Sequence, residues 1–204
     1  MIILIVIFSI LSYLLGSFST AFLFGKWFRN IDIRQFGSKN AGATNVCRVL
    51  GFKIGISVFI LDAMKSFIAV QLIHFVPNVV INSEFYFQVK VLFAICSVVG
   101  HIFPLYSGFK GGKGVASMFG IFFGLNPFIG LIIFGLFLIL FFLTRIVSLA
   151  SICSVIAYPI VIYFSPYCQS ITLTVFSIVI CFLIIVTHRK NIKRLIEGEE
   201  KKIF

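Results

Sequence analysis

The chain has 204 residues, of which 60% are hydrophobic, 17% aromatic and only 11% charged, and its mean hydropathy is +1.15. No water-soluble fold hides that much apolar surface, so composition alone excludes an ordinary soluble domain. A net charge of +11, from 17 Lys and Arg against 6 Asp and Glu, marks whatever faces water as strongly basic.

A helix needs about 20 mostly apolar residues to cross the hydrocarbon of a bilayer, and the chain supplies such runs one after another. The first, 2–24, lacks the charged start and small-residue cleavage site of a signal peptide and reads as a retained helix. The second, 54–76, carries Asp62 and Lys65 three residues apart. Charges at that depth are costly and are either functional or mutually paired, and this pair is expected to support a site from below, with direct substrate contact as the alternative. Further runs follow at 88–106, 115–143, 146–164 and 171–187. Asn126-Pro127 interrupts the run at 115–143, and a proline removes a backbone donor and clashes with the preceding turn. Two short helices meeting near the outer face are therefore expected there.

Lys and Arg accumulate on the cytoplasmic side of membrane proteins. Here Lys26, Arg29, Arg34, Lys39, Arg48 and Lys53 follow the first span, and Arg189, Lys190, Lys193, Arg194, Lys201 and Lys202 follow the last. Six spans would put these clusters on opposite sides. Seven put both in the cytoplasm, together with Lys110, Lys113 and Arg145. The expectation is thus one all-α membrane domain over 1–204, with seven transmembrane helices, an outer N-terminus and a cytoplasmic C-terminus. Its one-sided positive field attracts anionic substrates and lipid headgroups. Cys47, Cys96, Cys153, Cys168 and Cys181 show no C-x-x-C spacing and read as packing residues, and His74 has no ligand-spaced partner.

Three basic, polar segments carry the chemistry. In the first, 36–51, Ser38, Asn40, Thr44, Asn45 and Arg48 crowd among glycines; Ser38 or Asn40 would cap a short helix whose free N–H groups attract an anion. In the second, 100–117, His101 precedes a loop with Gly111, Gly112, Lys113 and Gly114. Such a loop can wrap backbone N–H groups around phosphate oxygens while Lys113 adds a point charge. It lacks the G-x-x-x-x-G-K-[ST] spacing of a nucleotide-binding loop. His101 itself either serves the site or caps the end of its helix through a backbone carbonyl. In the third, 187–200, His188 and Asn191 share one helical face beyond the last span. The plain structural alternatives are a capped turn, a flexible interhelical loop and a basic membrane-surface stop.

These segments resemble, in order, the three motifs of the bacterial acyl-phosphate:glycerol-3-phosphate acyltransferase family. GSKNAGATNVCRVLG at 37–51 is similar to its glycine-serine, GATN and arginine motif, GHIFPLYSGFKGGKGVA at 100–116 to its GH-x-FP and GGKGVA motif, and HRKNIKRLIEGEE at 188–200 to its HR-x-NI-x-R motif. The early YLLGS, the LDAMK of the second span and the Thr144-Arg145 turn fit as well; Lys39, Ala41 and Glu199 depart from the pattern. No His-x4-Asp motif of the commoner glycerolipid acyltransferases is present.

The resemblance implies transfer of a fatty acyl group from acyl phosphate to the sn-1 hydroxyl of glycerol 3-phosphate at the cytoplasmic face of a bacterial inner membrane. Its partners are the two substrates and membrane lipid, with no cofactor, metal or nucleic acid. On this reading Ser38, Arg48 and Lys113 bind phosphate, and the backbone of Gly111, Gly112 and Gly114 shapes the anion pocket. Asn40, Thr44 and Asn45 position the reacting groups; Ser38, His188 and Asn191 are catalytic; Asp62, Lys65 and His101 support. Whether His188 is a general base or an orienter stays open. The rival reading is a transporter for a phosphorylated metabolite.

Overall fold

The computed structural model describes residues 1–165 and 170–203, and every regular element among them is helical. Cys168 lies outside the described residues. Among the described residues five stretches are long and apolar enough to cross a membrane: Ile2–Arg29, Phe52–Phe75, Glu84–Ser107, Pro127–Thr144 and Val147–Phe164. Ile171–Thr187 with Arg189–Ile196 makes a sixth if that pair, bent by 65°, is one span. Their outward faces are apolar, with Ile3, Leu143 and Phe182 each at least 70% exposed, as lipid-facing side chains must be. The helices group into two compact units, Met1–Leu125 and the residues from Asn126 onward.

In the first unit the opening apolar run is two helices, α1 (Ile2–Ser17) and α2 (Thr20–Arg29), broken at Phe18-Ser19. A short α3 (Ala43–Leu50) leads into α4 (Phe52–Gln71), followed by α5 (Glu84–Ile102) and α6 (Val115–Leu125). Apolar burial does not drive helices together in lipid, so close backbone approach through small residues must. A Cβ at Gly16 or Gly100 would strike the backbone of the facing helix, at Ser97 and Tyr13 respectively, and one at Gly120 would strike the Ala63 carbonyl. Ser97 Oγ also donates to Ser66 Oγ at 2.9 Å.

The Asp62–Lys65 pair lies in this unit and is buried, its oxygen and nitrogen 2.7 Å apart. It holds the α1–α2 break. Thr20 Oγ1 donates to Asp62 Oδ1 and Lys65 Nζ donates to the Phe18 carbonyl, each at 2.7 Å. The break leaves that carbonyl without its helical donor, and in the membrane such a group must find others; here Thr20 N, at 3.1 Å, and Lys65 Nζ serve.

The second unit holds α7 (Pro127–Thr144), α8 (Val147–Phe164), α9 (Ile171–Thr187) and α10 (Arg189–Ile196). The expected interruption falls at Asn126, whose side chain accepts from Phe128 N and Ile129 N as the cap of α7, with Pro127 at its first position. The two helices are unequal. α7 has 18 residues; α6 has 11, about 16 Å of rise, so a count of seven spans rests on a helix much shorter than the hydrocarbon.

Candidate active site

In the first unit the structure brings the 36–51 segment against the glycine loop. Asn45 organises the segment. It is 1% exposed, its Oδ1 accepts from Ser38 N at 2.7 Å, and its Nδ2 donates to the carbonyls of Ile33 and Phe36 at 3.0 Å each. Asn45 therefore ties Ser38 to the loop backbone. Ser38 is exposed, and Asn40, Thr44 and Arg48 are half-buried, with Thr44 and Arg48 one turn apart on α3.

One expectation for this segment needs correction. Neither Ser38 nor Asn40 caps α3: its cap is Gly42 in an extended conformation, with no side-chain hydrogen bond. Lys39 holds a left-handed φ of 59°, a conformation that disfavours any residue with a Cβ.

The glycine loop also differs from expectation. Gly111 N donates to the Ile102 carbonyl at 3.1 Å and Gly112 N to the His101 carbonyl at 3.2 Å. These two N–H groups close the loop on the end of α5 and do not wrap an anion. The glycines are needed for space, since a Cβ at Gly112 would meet His101 Nε2 and the Ala41 carbonyl. Gly114, at φ 91°, turns the chain from half-buried Lys113 into α6.

His101 is buried, with Nδ1 3.7 Å from Asp62 Oδ1 and Nε2 towards Gly112. Its ring thus lies between the Asp62–Lys65 pair and the glycine loop, and the expected alternative of a helix-ending bond to a carbonyl is not what the ring makes. Asp62, Lys65 and His101 form one support beneath the loop.

One pair here escaped the sequence reading, in which Arg34 counted only as a charge. Asp32 caps the 3-10 turn Ile33–Gln35, and the Arg34 guanidinium bonds both Asp32 oxygens and the carbonyls of Ser107 and Lys110. The hydrogen bond from Arg34 holds the Asp32 carboxyl below the usual carboxylate range despite partial burial. The signal was an aspartate two residues before an arginine, the spacing of a side-chain-capped turn.

In the second unit His188 sits at the junction of α9 and α10, 3% exposed, with Nδ1 2.9 Å from the Ile184 carbonyl. A carbonyl only accepts, so Nδ1 carries the proton and Nε2 is the basic nitrogen. Asn191 is buried one turn on, and its Nδ2 donates to Glu200 Oε1.

Glu200, absent from the sequence-derived site, is the hub of this unit. It also accepts from Ser148 Oγ at 2.8 Å and from Arg194 Nε at 2.6 Å, and its side chain is 4% exposed. Burial alone would raise its carboxyl; the hydrogen bonds from Arg194, Asn191 and Ser148 outweigh burial and hold it below the ordinary value of 4.5. Its signal was the glutamate trailing the third motif.

Among the described residues no three His, Cys, Asp or Glu side chains come together to hold a metal. A cavity of about 330 Å³ between α7 and α8, lined by Phe128, Ile132, Ile160 and Phe164 among others, is apolar and includes none of the residues above.

The sequence profile of the Glycerol-3-phosphate acyltransferase family matches residues 6–198. Curated proteins of that name are similar over nearly the whole chain. The protein of Prochlorococcus marinus is 43% identical, covering 94% of each chain. That of Endomicrobium trichonymphae is 41% identical, covering 97% of this chain and 95% of its own.

Two crystal structures of PlsY (YgiH), an integral membrane glycerol 3-phosphate acyltransferase, share the fold. The glycerol 3-phosphate form superposes with a TM-score of 0.86 at 39% identity and the lysophosphatidic acid form with 0.83 at 38%, each covering 97% of this chain and 94% of the other. The match runs through all three motifs and both units, and the chain belongs to the glycerol-3-phosphate acyltransferase family of integral membrane proteins.

Proposed function

We propose that this protein transfers a fatty acyl group from acyl phosphate to the sn-1 hydroxyl of glycerol 3-phosphate, the first acylation of membrane phospholipid synthesis. The observation that carries the reading is the ordered set of three motifs in a chain whose relatives, named glycerol-3-phosphate acyltransferase, match it end to end. The neighbouring crystal structures in glycerol 3-phosphate and lysophosphatidic acid forms support the acceptor and the product class.

In the reaction, the sn-1 oxygen forms an ester bond to the acyl carbon while the bond from that carbon to the phosphate oxygen breaks. Inorganic phosphate leaves with the electron pair. Acyl phosphate is already activated, so the protein has chiefly to orient two anionic reactants and stabilise the charge that develops. Ser38, Arg48 and Lys113 bind phosphate groups, Asn40 and Thr44 orient the reactants, and Asn45 holds the Ser38 loop in register. Asn191, fixed by Glu200, donates to a substrate oxygen, and His188 accepts the hydroxyl proton on Nε2.

Tail and first loop face the cytoplasm of a bacterial inner membrane, as the distribution of Lys and Arg supports, with the N-terminus outside and seven crossings.

The test is lysophosphatidic acid formation by purified protein from palmitoyl phosphate and labelled glycerol 3-phosphate, with palmitoyl-coenzyme A as the alternative donor. Product from acyl phosphate alone establishes the reading, and product only from the thioester refutes the donor. No product from either, with counterflow of labelled glycerol 3-phosphate in sealed vesicles, replaces the enzyme by a transporter. Turnover largely retained in His188→Gln removes the base role and leaves a phosphate oxygen of the donor as proton acceptor.

A further inference from the structure

We propose that Asp32 and Arg34 form a positioning clamp that holds the 105–112 loop in the shape that presents Lys113; only its consequence for catalysis rests on the acyltransferase reading.

Each nitrogen of the Arg34 guanidinium donates within the protein. Nε donates to Asp32 Oδ1 at 2.9 Å and Oδ2 at 3.2 Å, Nη2 donates to Oδ2 at 2.8 Å, and Nη1 donates to the carbonyls of Ser107 at 2.6 Å and Lys110 at 3.4 Å. The Phe22 ring lies 4.7 Å from the guanidinium carbon. Asp32 is itself fixed, because its Oδ1 accepts from Arg34 N at 3.0 Å. Among cations gathered for anionic substrates, this arginine is neutralised by its neighbour and turned towards backbone carbonyls. Its contribution is geometry. Only a guanidinium can pair a carboxylate along one edge while reaching carbonyls from another.

The two carbonyls it grips flank the least relaxed part of the loop. Gly108 and Phe109, between Ser107 and Lys110, are both left-handed, at φ 68° and 58°. A residue with a Cβ holds that conformation only when its surroundings over-determine it. Inside the loop, Phe109 N donates to the Pro104 carbonyl, Gly111 N to Ile102 and Gly112 N to His101. The clamp closes the same turn from outside, three residues before Lys113. A loosened turn would leave Lys113 averaged over many positions, weakening phosphate binding more than the chemical step.

The experiment compares Arg34→Gln, Arg34→Lys and the milder Asp32→Asn with wild type in detergent, by hydrogen exchange and by kinetics. Expected in both Arg34 variants is about tenfold faster exchange at the Phe109, Gly111 and Gly112 amides, with exchange in α4 and α5 unchanged. KM for glycerol 3-phosphate and the inhibition constant of inorganic phosphate rise about tenfold, while kcat falls less than about threefold. Asp32→Asn moves the same quantities less.

Unchanged loop exchange in Arg34→Gln overturns the clamp. Recovery of wild-type values by Arg34→Lys overturns it too, because charge alone would then suffice, and a loss confined to kcat would make Arg34 a catalytic residue. If wild type itself transfers no acyl group, the acyltransferase reading fails while the exchange experiment still decides the clamp.

Discussion

Replacement of Asn45 by alanine tests whether one buried side chain sets the shape of the Ser38 loop. Its amide makes three hydrogen bonds, one accepted from Ser38 N and two donated to the carbonyls of Ile33 and Phe36. At about 1 kcal/mol each, the loop loses about 3 kcal/mol, and more if the Ile33 carbonyl stays buried without a donor. That is roughly a hundredfold change in the closed population of the loop, at about 1.4 kcal/mol per tenfold. Asn45→Asp sharpens the test. A carboxylate keeps the bond from Ser38 N but turns an acceptor towards two carbonyls, so it should be no better than alanine despite matching the asparagine in shape. The assay is hydrogen exchange at the Ser38 amide beside acyl transfer. Expected are about hundredfold faster exchange and a large loss of activity in both variants. Native protection of Ser38 in Asn45→Ala, or near-wild-type behaviour of Asn45→Asp, would refute the reasoning.

Other outcomes follow from the same geometry. Asp62→Ala leaves Lys65 buried without its carboxylate and should destabilise the fold by about 3–5 kcal/mol, whereas Asp62→Ala with Lys65→Met should recover much of this; thermal unfolding that shows the two changes as additive would contradict the pairing. Lys39→Gly removes the penalty of a Cβ at φ 59° and should stabilise the protein by about 1 kcal/mol, read as a rise in Tm. The Glu200 carboxyl lies below its ordinary value of 4.5 in the folded state, so its stabilisation is complete above that value and is lost as pH falls below it. Glu200→Gln should therefore lower Tm at pH 7, with the gap from wild type closing below pH 4.5, and a gap independent of pH would rule out the ionised hub.

Membrane helices were legible because their cause is local. A bilayer contains no water to bond a bare backbone, so each apolar run of sufficient length must become a helix, and Asn126-Pro127 could be read as an interruption without knowing any neighbour. The chemistry-bearing segments were legible for a similar reason: polar residue types and glycines stand in unbroken order within a few residues of one another. Local pattern did not reveal the break at Phe18-Ser19, since Gly16, Ser17, Ser19 and Thr20 are small residues that an unbroken membrane helix also carries, and the break is held by Asp62 and Lys65 more than 40 residues away.

Only the tertiary structure decided how the segments are held. Arg34 reaches Ser107 across 73 positions and Glu200 reaches Ser148 across 52. Gly111 and Gly112 donate, to the carbonyls of Ile102 and His101 respectively, the N–H groups that the loop pattern assigned to an anion, and Gly42 caps α3 in place of Ser38 or Asn40. In most of these contacts the acceptor is a backbone carbonyl. Every residue carries one, so no residue type announces which carbonyl will be used, and the choice is made when packing brings one loop against another.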